Sequence, residues 1–181
     1  MLWYRKNPPS TGECKVPVSA DVLREVYLRP GDFCFGEGKL RISTLLGSCV
    51  SIVLWHPLLA HGGMCHYMLP SRKQLRGNLH PDGKYGEEAM ELFLFELRKR
   101  HTLPAQYQVN IYGGGNMFDE QASTGMEIGK QNIAMAYRLL DECGFSIAHE
   151  HLGSFGHRKI EFDVWSGEVR LTHVDHRKTE A

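Results

Sequence analysis

A cysteine at 49 and a histidine at 66 are the side chains of this sequence best placed to do covalent chemistry together. Cys49 closes the run Leu46-Gly47-Ser48-Cys49, in which Gly47 can take backbone angles closed to other residues, so a strand can end abruptly and leave nearby N–H groups unpaired. Nucleophile turns are built this way. Seventeen residues on, past the apolar run Val50 to Trp55 and a His56-Pro57 turn, the chain returns through Gly62-Gly63-Met64-Cys65-His66-Tyr67. Two adjacent strands would bring His66 beside Cys49. An imidazole there takes the thiol proton, steadies the thiolate, and can then protonate a departing amine. Cysteine is also a common small buried hydrophobe. A purely structural cysteine needs no Gly-Ser before it, however, and the polar pair Ser43-Thr44 at the end of the preceding strand is poor core filler.

The elements that must position this pair follow from periodicity. Leu40, Ile42, Thr44 and Leu46 alternate with Arg41, Ser43 and Leu45, which predicts a strand running into the Gly47 turn. The run after Cys49 reads as a buried strand and 61–69 as a third. Tyr85, Ala89, Leu92, Phe93 and Leu97 recur at helical spacing, with glutamates at 87, 88 and 91 early and basic residues at 98 to 100 late, in the sense the helix dipole favours. A helix is expected over 86–101. Residues 106–112 predict a strand entering Gly113-Gly114-Gly115, and 126–143 a second helix, with Ile133, Ala136, Tyr137 and Leu140 on one stripe and Gly144 as its stop. Strands over 145–152, 159–165 and 168–174 complete the pattern, the last two joined by a Ser166-Gly167 hairpin. The order predicts an α/β layered sandwich of mixed β-sheet with two long helices, in a single domain. Residues 1–30 read as an N-terminal extension, with 21–28 extended or briefly helical. The domain then runs over 31–176, with a tail at 177–181.

Composition excludes several classes of function. Lys plus Arg and Asp plus Glu both number 21, which recommends neither a nucleic-acid groove nor an anionic membrane surface. No apolar run approaches the roughly 20 residues that span a bilayer, and the first ten residues hold no signal-peptide core. Five cysteines without paired CxxC spacing fit reduced thiols, hence the cytoplasm. The triple glycine lacks the lysine and spacing of a phosphate loop. It reads instead as a tight turn that lets backbone approach Cys49, with Asn116 as a polar wall and Phe118 as an exposed anchor for a partner. Gln74 to Gly83 reads as a loop able to gate the site. His149 and His151 share a strand face as zinc ligands can, but nothing at ligand spacing completes the set, so neither metal nor cofactor is expected. Cys65 should point away from His66 into the core.

Four runs together resemble the CheD chemoreceptor glutamine deamidases of bacterial and archaeal chemotaxis: LGSCV at 46–50, GGMCHYMLP at 62–70, Gly83-Lys84-Tyr85 ahead of a helix, and Gly113-Gly114-Gly115-Asn116-Met117-Phe118. The resemblance extends from about Leu40 to Val174. It implies Cys49 as nucleophile, His66 as its base, and a third residue, usually threonine, six positions before the cysteine. That position holds Ser43, with Thr44 beside it, and adjacent strand residues face opposite ways. Either hydroxyl could orient His66. The activity implied is conversion of receptor glutamines to glutamate through a thioester, with ammonia released. The substrate implied is the helical cytoplasmic region of chemoreceptors, and a CheC-type phosphatase is a further partner in some systems. Two competing readings are a non-catalytic adaptor docking on receptors or on such a phosphatase, and a different cysteine hydrolase or transglutaminase.

Overall fold

The computed structural model describes residues 22–72, 80–116 and 123–175. Alternation in the strand Leu40–Leu46 sets the architecture. Leu40, Ile42, Thr44 and Leu46 are buried while Arg41, Ser43 and Leu45 face outward, so one face of its sheet is a core face. Numbered in chain order, the strands are β1 (Arg24–Tyr27), β2 (Phe33–Glu37), β3 (Leu40–Leu46), β4 (Val50–His56), β5 (His61–Cys65), β6 (Gln108–Gly113), β7 (Ile147–Leu152), β8 (His157–Asp163) and β9 (Glu168–Val174). The two helices are α1 (Gly86–Lys99) and α2 (Ser123–Glu142).

These strands divide into a four-stranded sheet, ordered β1-β3-β8-β9, and a five-stranded sheet, ordered β2-β5-β4-β6-β7. Both are mixed, because β1 runs parallel to β3 and β6 parallel to β7. Ile42, Leu46, Ile160 and Phe162 of the first sheet pack on Val53, Met64 and Tyr112 of the second. The opposite face of the second sheet carries Val50, Ile52, Leu54, Cys65, Val109 and Ile111, which pack under Ala89, Met90, Phe93 and Leu97 of α1 and Ala136, Leu139 and Leu140 of α2. Three layers result: sheet, sheet, helices. β4 lies in the middle layer and is buried on both faces, which explains why five of its seven residues are apolar. Each such side chain taken fully from water contributes about 1.5–3 kcal/mol.

The α/β layered fold with two long helices is therefore as the sequence predicts. Glu87 and Glu88 stand in the first turn of α1, Arg98 and Lys99 in its last. α2 stops where Gly144 takes φ 76° and its N–H reaches the Asp141 carbonyl. β1 takes the extended alternative read for 21–28, whereas β2 was not expected. The segment read as an extension joins the first sheet from Arg24, and β2 pairs antiparallel with β5. Residues 1–21 of the expected extension, most of the expected loop before Gly83, Phe118 and the tail at 177–181 lie outside the described residues. Among the described residues no helix is long and apolar enough to cross a membrane.

Candidate functional site

The site forms where β4 and the segment after β5 meet, on the side of the second sheet that faces the first. Val50 and Tyr67 form an antiparallel bridge, with Val50 N–H donating to the Tyr67 carbonyl at 3.1 Å and Tyr67 N–H to the Val50 carbonyl at 3.0 Å. This register sets Ser51 opposite His66 and Cys49 one diagonal step from it on the same face, the face turned towards β3. His66 is held on its other side by the turn between β1 and β2. Its N–H donates to the Asp32 carbonyl at 3.0 Å, and its carbonyl accepts from Gly31 N–H at 2.7 Å.

Thr44 crosses from the other sheet to meet this histidine. Its hydroxyl lies 2.7 Å from His66 Nδ1 and donates to the Leu28 carbonyl at 2.8 Å. A threonine hydroxyl has one proton, and the carbonyl takes it. The contact with Nδ1 must then run the other way, with Nδ1–H donating to the threonine oxygen. That fixes the tautomer. Nε2 is left with its lone pair, buried and without a hydrogen-bond partner among the described residues. Burial pushes the His66 pKa down to about 4, which keeps the ring neutral, and burial raises the Cys49 thiol above its ordinary value while its own backbone N–H opposes the shift. At rest the pair is thus a thiol and a neutral base.

Ser43 goes elsewhere. It occupies the outward face of β3, level with Tyr27 and Glu161 on the neighbouring strands, and only its backbone takes part in the local bonding. The structure therefore brings Cys49, His66 and Thr44 to one place and leaves Ser43 on the far side of the sheet. Cys65 is fully buried with the helices, accepts from Ile52 N–H at 3.4 Å, and has its thiol pushed up to about 12 by burial.

The turn that carries Cys49 is pinned by the triple glycine. Gly115 N–H donates to the Gly47 carbonyl and Gly114 N–H to the Cys49 carbonyl, both at 2.8 Å. A Cβ on Gly113 would stand 2.1 Å from the Cys49 carbonyl oxygen, and Gly113 and Gly114 have φ of 116° and 64°. Left-handed backbone was expected at Gly47, but it is carried across the contact by these two glycines instead. With the Gly47 and Cys49 carbonyls held by this turn, the N–H groups of Ser48 and Cys49 make no backbone hydrogen bond among the described residues, and that of Cys49 lies near its own sulfur.

Two contributors escaped the sequence. Leu28 supplies the carbonyl that takes the Thr44 proton. Asn132 of α2 is buried and donates from Nδ2 to the carbonyls of Ser48 and Met68. A signal existed for the second, since Asn132 interrupts the apolar stripe of α2 beside Ile133 and Ala136. Of the histidines considered as metal ligands, His151 Nδ1 accepts from Arg158 Nε at 2.8 Å, and His149 is exposed. Among the described residues no group of three or more His, Cys, Asp or Glu is arranged to hold a metal ion.

The chain is similar to known proteins over most of its length. The family profile described as CheD chemotactic sensory transduction matches residues 68–173. The chain is 50% identical over 149 residues to the "Probable chemoreceptor glutamine deamidase CheD 3" of Dechloromonas aromatica, covering 82% of this chain and 87% of that one. It is 40% identical over 158 residues to the "Probable chemoreceptor glutamine deamidase CheD" of Pseudomonas syringae pv. tomato, covering 86% of this chain and 93% of that one. Among solved structures, the hypothetical protein YfiH of Bacillus licheniformis overlaps at a TM-score of 0.42 and 11% identity, over 71% of this chain and 59% of that one, too slight a likeness to argue from. By the match of the profile over most of the fold and the identity over more than four fifths of its length, the chain belongs to the CheD family.

Proposed function

We propose that this protein deamidates glutamine side chains in the helical cytoplasmic region of chemoreceptors, with Cys49 as nucleophile, His66 as base and Thr44 as the group that orients the base. The observation that carries this reading is the proton chain from His66 Nδ1–H through Thr44 to the Leu28 carbonyl, which leaves a buried Nε2 lone pair on a histidine that the strand register sets one diagonal step from Cys49. The names of the relatives supply the substrate class.

In the proposed reaction Nε2 takes the Cys49 proton as sulfur attacks the carboxamide carbon. The tetrahedral oxyanion is received by the N–H groups of Ser48 and Cys49, each such donor being worth about 2.7–4 kcal/mol in comparable sites. The imidazolium then protonates the leaving amine, and the C–N bond breaks to release ammonia. Water, deprotonated by the same nitrogen, adds to the thioester, and the C–S bond breaks to give glutamate and the free thiol. Because both groups start neutral, proton transfer accompanies attack and no thiolate waits for substrate.

The test is wild-type protein with purified chemoreceptor cytoplasmic fragments, read by ammonia release and by the Gln to Glu mass gain in receptor peptides. Deamidation of at least one fragment is expected. Binding without any mass change would favour the adaptor reading, and incorporation of an added amine in place of water would favour a transglutaminase.

A further inference from the structure

Asn132 lies fully buried on the stripe of α2 that packs against the second sheet, where an apolar side chain would serve packing better. Its Oδ1 has no hydrogen-bond partner among the described residues, an arrangement that costs stability. The other end of the same amide explains why it is there. Nδ2 donates to the Ser48 carbonyl at 3.2 Å and to the Met68 carbonyl at 2.8 Å, so one group spans the turn before the nucleophile and the segment after the base. The Asn132 backbone carbonyl accepts from Tyr67 OH at 2.6 Å, which fastens the helix at this level to the residue that follows His66.

The Ser48 carbonyl and the Cys49 N–H belong to one peptide unit, and in a trans peptide they point in opposite directions. A donor that holds the carbonyl on the helix side holds the N–H on the other side. We infer that Asn132 is a positioning residue: it sets the Ser48–Cys49 peptide so that the Cys49 N–H faces the developing oxyanion, and it ties the nucleophile turn to the base segment. The glycine turn does the same for the two flanking carbonyls, at Gly47 and Cys49. Asn132 completes the set, since the carbonyl between them has no backbone donor among the described residues. This inference rests on the proposed covalent chemistry at Cys49, but it does not depend on which protein is the substrate.

The experiment compares wild type with Asn132→Ala and with Asn132→Leu, which keeps the volume and removes the donor, all as the full chain. Two reactions of Cys49 are timed: acylation by p-nitrophenyl acetate, which passes through an oxyanion, and alkylation by iodoacetamide, which does not. Acylation should fall by about 100-fold, the scale of losing one oxyanion donor, while alkylation stays within about threefold. On a receptor fragment that wild type deamidates, kcat should fall by a similar factor with KM within about twofold. If acylation is unchanged, or if acylation and alkylation fall together, Asn132 only supports the fold and the inference is overturned. If wild type deamidates no receptor but the ratio of the two rates still falls in the variants, the inference stands and the receptor reading is what fails. Should Asn132→Ala lose its cooperative melt, Asn132→Leu carries the comparison.

Discussion

Replacing Thr44 with valine keeps the volume of a fully buried side chain and deletes one oxygen. That oxygen is the centre of the proton chain, accepting from His66 Nδ1 at 2.7 Å and donating to the Leu28 carbonyl at 2.8 Å. Its loss strands two buried polar groups, at about 1–3 kcal/mol each if neither finds water. With roughly 2–4 °C lost per kcal/mol in a chain of this size, the melting temperature should drop by several degrees. The effect on turnover is separate. A hydrogen bond worth about 1–1.5 kcal/mol no longer selects the ring orientation and tautomer that leave Nε2 as the lone-pair nitrogen, so kcat should fall roughly 10-fold with KM little changed. Ser43→Ala is the control. Ser43 sits one residue away on the outward face, where substitutions usually stay within about 0.5 kcal/mol, and its kcat should match wild type. Deamidation rates of the two variants on one receptor fragment, beside thermal melts, decide the matter. Full activity in Thr44→Val, or loss confined to Ser43→Ala, would refute the proton chain.

Three further outcomes are expected. His66 acts as a base only when neutral, and its pKa is depressed to about 4 by burial, so kcat/KM should be level across neutral pH and fall only as pH drops through about 4; an acid limb near 6.5 would contradict this. Iodoacetamide should modify Cys49 faster as pH rises above the ordinary thiol range, because burial raises its thiol, and should leave Cys65, whose thiol is pushed up to about 12, untouched in the folded protein; peptide mapping that finds Cys65 labelled first would overturn the assignment. Gly113→Ala should lose both stability and turnover, since the new Cβ would stand 2.1 Å from the Cys49 carbonyl oxygen at a φ of 116°; a variant with normal melting and normal kcat would mean that this close approach is dispensable.

Most of the layered fold was legible because its main elements carry strong periodicity. The alternation over Leu40–Leu46 and the apolar stripes of α1 and α2 are dictated by which face each element buries. The same alternation already grouped Thr44 with Leu40, Ile42 and Leu46 on the apolar face, which is where the histidine meets it; the resemblance pointed to the neighbouring position, Ser43. β1 and β2 were harder to see. Each is short, and only Leu28 just beyond β1 and Cys34 within β2 are fully buried there. The strained backbone was sought at Gly47 because a nucleophile turn often carries it, but a partner more than sixty residues away, the glycine turn after β6, carries it instead. Asn132 reaches Ser48 across 84 residues of chain, and no local pattern encodes such a contact. What local pattern does show is a polar residue where packing asks for an apolar one, which marks positions to examine in space.

The most direct measurement is the deamidation rate of Cys49→Ala beside wild type and Cys65→Ala on the same receptor fragment, followed by the Gln to Glu mass change. No product above background is expected from Cys49→Ala, and turnover near wild type from Cys65→Ala wherever that variant melts normally. Deamidation by Cys49→Ala at a rate close to wild type would mean that another group is the nucleophile.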